Sequence, residues 1–166
     1  KIYFIQENYA KANVLANEVL LLKNDLLDYN NPSQVSLTNA YRFLPNGVNN
    51  PEIMFFAKAN TTAVLQNYIG NVCYVATELY QMYSPNDLRR TMLFGQGTNG
   101  INFVGSYTGT FDNFSGLATN EIMLIRAECL ARAGDSGGAM KDINRLLLSR
   151  YKTGTFNNLI ADNEEA

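Results

Sequence analysis

Histidine and tryptophan are both missing from this chain of 166 residues. Without an imidazole to accept the serine proton, a Ser-His-Asp triad cannot be assembled. The absence of tryptophan, the usual platform for a sugar ring, counts against sugar binding but leaves tyrosine and phenylalanine as possible platforms. These two absences remove the trypsin-like serine hydrolases and weaken one common type of ligand site.

Charged residues are scarce, at 17% of the chain, and the net charge is −2. No basic surplus is present to attract nucleic acid, so we predict no nucleic-acid partner. No apolar run approaches the roughly 18 residues that a transmembrane helix needs. The hydrophobic fraction of 46% is enough for the core of one domain, and the low charge with abundant Asn, Tyr and Phe is typical of an exported protein.

The chain has two cysteines, Cys73 and Cys129. They are too few and too far apart in sequence for a zinc site. Cys129 lies on the apolar stripe of a predicted helix, which favours a buried free thiol, although a disulfide between the two remains an alternative. We therefore predict no metal and no cofactor.

The motif GDSGG at residues 134–138 resembles the nucleophile segment of serine proteases. Apolar residues at helical spacing stand on both sides of it, so the motif falls between two helices. Gly134 suits the left-handed residue that ends a helix, and Asp135 or Ser136 can accept a hydrogen bond from the next one. The sequence predicts an inter-helix turn and no nucleophile.

Two other catalytic signals are weak. GQGTNG at 95–100 matches the spacing of a dinucleotide-binding loop, but TMLFG before it and INFVGSY after it read as strands, and the required helix is missing. Asp112, Glu121 and Glu128 are the possible carboxylates for glycoside hydrolysis, which needs two acids that face one cleft. The two glutamates occupy helix positions where solvated acids are expected, and Glu128 with Arg132 is an ordinary surface pair. We predict no catalytic residues and no enzyme activity.

Four regions can be distinguished along the chain. Residues 1–30 form part of a helical hairpin, 31–120 a loop-rich insert with short strands, 121–151 a helical hairpin, and 152–166 a tail. PEIMFFAKA in the insert reads as extended, and NYIGNVCYVATELYQMY as a helix whose Tyr80 and Tyr83 fill the core. The first residues, KIYFIQEN, read as the end of a helix whose apolar side chains pack on parts of a longer protein.

The first and third regions resemble copies of one unit. Laying YAKANVLANEVLLL over SGGAMKDINRLLLS aligns Ala12 with Ala139, Ala16 with Ile143, Val19 with Leu146 and Leu20 with Leu147. A small residue near the start of the second helix of a hairpin is typical of tetratricopeptide repeats. The predicted fold is therefore mainly α, with tetratricopeptide-like helical hairpins and an irregular loop-rich insert that carries short strands.

The helical hairpin carries a family resemblance. NEIMLIRAECLARAGDSGGAMKDINRLLLSRYKTGTF is similar to the helix, loop and A-x-x-x-I-N-x-L-x-x-R segment of the SusD/RagB family of Bacteroidetes, and NDLRR contains its D-x-R. The matching residues are Asp87, Arg89, Glu121, Ile125, Ala127, Glu128, Ala139, Ile143 and Asn144, and Arg150 stands one position after the arginine of the motif. On this resemblance the chain is part of a SusD-like domain.

The resemblance implies a role at the cell surface. Family members are lipoproteins of the outer membrane that bind oligosaccharides or other nutrients without catalysis and deliver them to a TonB-dependent, SusC-like transporter. The lipid-bearing cysteine would then lie outside this chain and provide the only membrane attachment. The alternative is a tetratricopeptide-like scaffold for protein interactions that binds no glycan.

Candidate ligand contacts come from the aromatic residues of the insert, because sugar rings stack on flat side chains and amides bond their hydroxyl groups. The hairpins use their apolar stripes for packing, which leaves the insert to face solvent. The predicted contacts are Tyr68, Tyr74 and Tyr107, with Asn67, Asn71 and Asn102 as hydrogen-bonding partners.

Overall fold

The computed structural model describes residues 1–59, 74–110 and 112–161. Within these ranges the helices are α1 (Ile2–Ile5), α2 (Tyr9–Leu22), α3 (Thr77–Gln81), α4 (Arg89–Leu93), α5 (Thr119–Arg132) and α6 (Ser136–Leu148). The strands are β1 (Ile53–Phe55), β2 (Lys58–Ala59), β3 (Phe94–Gln96), β4 (Ile101–Phe103), β5 (Asn113–Phe114) and β6 (Leu117–Ala118), and a 3-10 turn covers Pro45–Gly47.

The strands form three antiparallel pairs. β1 pairs with β6, β2 with β5, and β3 with β4. The first two pairs bring residues 53–59 alongside residues 113–118, with Ile53 opposite Ala118 and Lys58 opposite Phe114. The third pair is a hairpin over GQGTNG, closed by a 2.8 Å hydrogen bond from the Gly97 amide to the Gly100 carbonyl. The extended structure predicted for PEIMFFAKA is confirmed by β1 and β2, and the strand predicted in INFVGSY by β4. The strand predicted over TMLFG is present only at Phe94 and Gly95, because Thr91–Leu93 belongs to α4.

The mainly α, tetratricopeptide-like fold predicted from the sequence is wrong. The described residues form a mixed α/β domain, about 40% helical, with small antiparallel strand pairs. Only α2, α5 and α6 exceed five residues among the described helices. The prediction failed because it extended the helical periodicity of two segments to the whole chain, whereas much of the core is built by the segment between them.

The three long helices pack side by side, with α5 between α2 and α6. Ala12 of α2 is buried against Ile125 and Cys129 of α5, and such a small side chain lets the two helices approach closely. Cys129 is a buried free thiol, as predicted. Residues 1–30 are less helical than predicted, because the backbone turns to an extended conformation at Lys23.

The turn between α5 and α6 has the predicted capping geometry. Gly134 adopts the left-handed conformation, with φ at +81°. The Asp135 carboxylate accepts a 2.8 Å hydrogen bond from the Gly138 amide, so Asp135 is the N-cap and Ser136 is the first residue of α6. GDSGG is a helix-capping segment in this chain.

The segment between α2 and α5 builds its own core. The cluster consists of Leu27, Tyr29, Val35, Phe43, Leu88, Met92, Tyr107 and Ala118, with Ile53 and Phe114 packed against it. The rings of Tyr80 and Tyr83 pack edge-on against the ring of Phe94, with ring centres 5.7 and 5.3 Å apart, in keeping with their predicted packing role. The helix predicted over residues 67–83 lies partly outside the described residues, and of the remainder only Thr77–Gln81 is an α-helix.

Candidate functional site

A cleft of about 660 Å³ opens beside the first turn of α5. Its walls come from α4, from the segment that joins β4 to β5, from the β5–β6 turn and from α5. The lining residues are Lys1, Tyr29, Arg89, Leu93, Phe103, Gly105, Ser106, Tyr107, Asn113, Phe114, Ser115, Gly116, Ala118, Asn120, Glu121, Leu124, Leu146 and Arg150.

A buried ion pair lies at the base of the cleft. Glu52 is fully buried and Arg150 is 2% exposed, and Nη2 of Arg150 donates to Oε1 of Glu52. The same carboxylate accepts hydrogen bonds from the Leu27 amide at 2.8 Å and from the Tyr107 hydroxyl. Three donors thus replace the water that Glu52 loses on folding, as a buried carboxylate requires.

Arg150 is held in the same cluster by two further contacts. Its guanidinium lies 4.4 Å from the centre of the Tyr29 ring and donates to the Leu27 carbonyl. Burial alone would lower the pKa of Arg150, but the negative charge of Glu52 outweighs the effect of burial, and the pKa is raised. Burial raises the pKa of Tyr107 well above its usual value and also raises that of Tyr29. The cluster therefore holds a charged guanidinium and two protonated phenols at neutral pH.

Tyr107 connects this buried cluster to the polar rim of the cleft. Its hydroxyl donates to Glu52 and accepts a 3.3 Å hydrogen bond from Nδ2 of Asn120. The other end of the Asn120 amide accepts from the Glu121 amide at 2.9 Å. The orientation of the Asn120 side chain in the cleft is thereby fixed from both ends.

Two further ion pairs border the cleft. Asp87, whose side chain is 2% exposed, accepts from Nε and Nη2 of Arg89, the latter at 2.6 Å. The guanidinium of Arg89 also lies 5.2 Å from the centre of the Tyr83 ring. Nζ of Lys1 lies 2.7 Å from Oε1 of Glu121. Each of these cations is close to its own carboxylate.

Aromatic rings form one wall of the cleft. Tyr107 and Phe114 are tilted against each other, with ring centres 5.6 Å apart, and Phe43 packs behind Tyr107 at 4.8 Å. The Ser106 hydroxyl donates to the Asp112 carbonyl at 2.6 Å and accepts from the Phe114 amide at 3.0 Å. The segment that carries both rings is thus fixed by side chain to backbone bonds.

The structure brings one of the predicted ligand contacts, Tyr107, into the cleft. Tyr107 is 8% exposed and its hydroxyl bonds to Glu52, so the expectation that it faces solvent is corrected. Asn102 is also buried rather than solvent-facing, since the β3–β4 hairpin folds its side chain toward Gly97. Tyr74 is 41% exposed, packs over Gly100 and does not line the cleft. Tyr68, Asn67 and Asn71 lie outside the described residues.

Sequence reasoning missed the residues around which the site is built. Glu52 stands directly before the apolar run IMFF, and a lone acid beside an apolar run is a signal for a buried carboxylate in the sequence. Arg89 and Arg150 enter the sequence analysis only through the family resemblance, which indicates no physical role for either side chain. Nothing local in the sequence indicates that Asn120 and Phe114 share a cleft with Arg150, which only the folded chain brings beside them.

The other acids considered for catalysis lie in separate pairs. Asp112 is 3.4 Å from Nζ of Lys58, and Glu128 is 2.8 Å from Nη2 of Arg132. Across residues 1–59, 74–110 and 112–161, no three His, Cys, Asp or Glu side chains come together as a metal site would need. In the same ranges, no helix has the length and apolar character that a membrane crossing demands.

Comparison with known proteins gives no match for this chain: no protein-family model, no curated protein and no solved structure is similar to it. The resemblance to the SusD/RagB family stays a prediction from the sequence.

Proposed function

We propose that this chain is the binding part of a non-catalytic, lipid-anchored protein of the outer membrane, which holds an oligosaccharide in the cleft and delivers it to a TonB-dependent transporter at the cell surface. The delivery step and the location rest on the family resemblance. The binding step is supported by the cleft itself.

The observation that carries the proposal is the combination of ring faces and neutral polar groups in one cleft. Tyr107 and Phe114 provide the aromatic wall, and Asn113, Asn120 and Ser115 provide amide and hydroxyl groups around it. A sugar ring presents apolar C–H faces and a rim of hydroxyl groups, and a site that combines these two kinds of contact fits both. The volume of about 660 Å³ is in the range of ordinary ligand pockets.

The acids of the cleft favour binding over hydrolysis. Glycoside hydrolysis needs two carboxyl groups that face the same bond from opposite sides. Of the described residues that line the cleft, Glu121 alone carries a carboxylate, and this is paired with Lys1. Glu52 lies below the cleft with its oxygens bonded to Leu27, Tyr107 and Arg150.

The test is direct binding to glycans. The chain is applied to an array of neutral, uronate and sulfated oligosaccharides, and the best ligands are measured by titration calorimetry. Ser115 is exposed at the β5–β6 turn and lines the cleft, so Ser115→Met fills space where the ligand would lie. We expect this variant to bind at least about tenfold more weakly, a loss of about 1.4 kcal/mol.

Ser115→Ala is the matched control, because it removes the same hydroxyl group but adds no bulk. Its loss of affinity should be smaller than that of Ser115→Met, and both variants should keep the circular dichroism spectrum of the parent chain. Equal binding by Ser115→Met and the parent would place the ligand elsewhere. No binding to any glycan on the array would refute the proposal.

A protein-interaction scaffold is the second candidate, and one observation favours it. The C-terminal end of α2 exposes two large apolar side chains: Leu21 is 85% exposed and Leu22 is 90% exposed. Exposed apolar surface of this kind is typical of interaction sites. Two results together would support the scaffold instead. Cross-linking in cells would capture a protein partner with the parent chain but not with a Leu21→Glu, Leu22→Glu variant, and the chain would bind no glycan on the array.

A further inference from the structure

Among the residues that the structure describes, every charged side chain that lines the cleft is matched by a charge of opposite sign. The cations that line it are Lys1, Arg89 and Arg150, and the one acid among the described lining residues is Glu121. The lining set alone would carry a net charge of +2. Adding the two carboxylates behind it, Asp87 and Glu52, gives three cations and three carboxylates in three ion pairs.

The geometry of Arg89 shows how this compensation acts. Two of its nitrogens, Nε and Nη2, donate hydrogen bonds to the two oxygens of Asp87, whereas Nη1 takes part in none of these bonds. An anion placed on Nη1 would be attracted by the guanidinium and repelled by Asp87 from the opposite side of it. Because the repulsion offsets part of the attraction, Arg89 gains less from an anionic ligand than an unpaired arginine would. A hydroxyl or ether oxygen avoids the repulsion and also loses less hydration on entering the cleft.

Arg150 is compensated even more completely. Its guanidinium is 2% exposed and donates to Glu52 and to the Leu27 carbonyl. A carboxylate ligand in the cleft would meet a guanidinium whose charge is already opposed by the Glu52 carboxylate beneath it, in a region from which water is largely excluded. Such a site offers no free positive charge to replace the hydration of an anion.

We propose that the cleft selects an uncharged ligand, a neutral oligosaccharide rather than a uronate or a sulfated glycan, because each of its three cations is neutralised by its own carboxylate. This inference rests on the proposed function and specifies the ligand class of the same site.

The experiment compares one ligand in two charge states. A neutral hexose oligosaccharide that binds on the array is oxidised at its primary alcohols to carboxylates, and both forms are titrated at about 20 mM and about 500 mM NaCl. We expect the neutral form to bind at least about tenfold more tightly, with an affinity that is the same at both salt concentrations. Tighter binding of the carboxylated form at low salt would overturn the inference and leave the proposed function standing. No binding by either form, or by any array glycan, would overturn both.

A charge variant tests the mechanism of selection. Lys1 and Glu121 are about 40% exposed, so Glu121→Gln releases one ammonium group without opening the core. At low salt, the affinity for the carboxylated form relative to the neutral form should rise by about fivefold, which is the effect of one free charge at about 4 Å in water. At high salt, this ratio should return to that of the parent chain.

Glu128→Gln is the matched control, since it removes the same charge from the same helix but outside the cleft. It should leave the ratio as in the parent chain. Equal shifts in the two variants would show that net charge, and not the pairing inside the cleft, sets the preference, which would overturn the inference.

Discussion

Replacing Glu52 by glutamine tests the central claim about the core of this domain. The substitution keeps the size of the side chain but removes the charge that faces Arg150, which is 2% exposed and cannot recover water. Breaking a buried pair by removing one partner typically costs about 3 to 5 kcal/mol, because the other charge stays buried without compensation. A domain of this size has about 5 to 15 kcal/mol in total, so the loss is a large share of its stability.

The measurement is urea denaturation at neutral pH, followed by circular dichroism, with the thermal midpoint as a second readout. At about 2 to 4 °C per kcal/mol, the midpoint of Glu52→Gln should fall by about 6 to 20 °C. Glu128→Gln is the control: its pair with Arg132 is roughly half exposed, and such pairs contribute about 0 to 1 kcal/mol.

A double variant separates the two parts of the cost. Glu52→Leu with Arg150→Met removes both charges, and it should be less destabilised than Glu52→Gln because no unpaired charge remains. If Glu52→Gln lost no more stability than Glu128→Gln, the reasoning about burial and compensation in this cluster would be refuted.

Three further predictions follow from local features. Burial raises the pKa values of Tyr29 and Tyr107 above that of a free phenol, so the folded chain keeps these protons when the unfolded chain loses them. The contribution of these two tyrosines to stability should not change with pH below about pH 10 and should fall above it by about 1.4 kcal/mol per pH unit for each tyrosine, measured by urea denaturation across that range. An unchanged midpoint from pH 9 to 11 would contradict this. Asp135→Ala should cost about 0.5 to 2 kcal/mol through loss of the cap, and Ser136→Ala distinctly less, with no labelling of Ser136 by a fluorophosphonate probe; the reverse order would mean that Ser136 is the cap. The thiol of Cys129 is buried, and burial raises its pKa. In a Cys73→Ser variant, Cys129 should therefore react with a thiol reagent only on unfolding. Rapid reaction of the folded chain would show that the thiol is accessible.

The parts of the fold that could be predicted from the sequence are those set by residues close together in the chain. The helices α5 and α6 and the turn between them follow from apolar spacing and from Gly134 and Asp135, whose capping contacts span only a few positions. The hairpin over GQGTNG is equally local, because β3 and β4 are joined by four residues. Thr91–Leu93 marks the limit of this approach, since its apolar residues read as a strand but form the last turn of α4.

The parts that could not be predicted depend on contacts between distant residues. The pairing of β1 with β6 and of β2 with β5 joins positions about sixty residues apart, and nothing in two- or three-residue strands specifies a partner. The candidate cleft was missed for the same reason. Tyr107 was selected as an aromatic residue in a loop, but its position is set by Glu52, Phe43 and Asn120, which contact it only in the folded chain.

The contacts of Glu52 also determine the order in which this domain can be completed during synthesis. Its partners Leu27, Tyr107 and Arg150 lie 25, 55 and 98 residues away along the chain. Chains emerge from the ribosome at about 5 to 20 residues per second, so Glu52 is made several seconds before the arginine that neutralises it. The helix α2 can form as soon as it emerges, but the centre of the domain cannot close until residue 150 is available. A nascent chain that stops short of Arg150 would therefore remain open at its middle and be a substrate for chaperones and proteases.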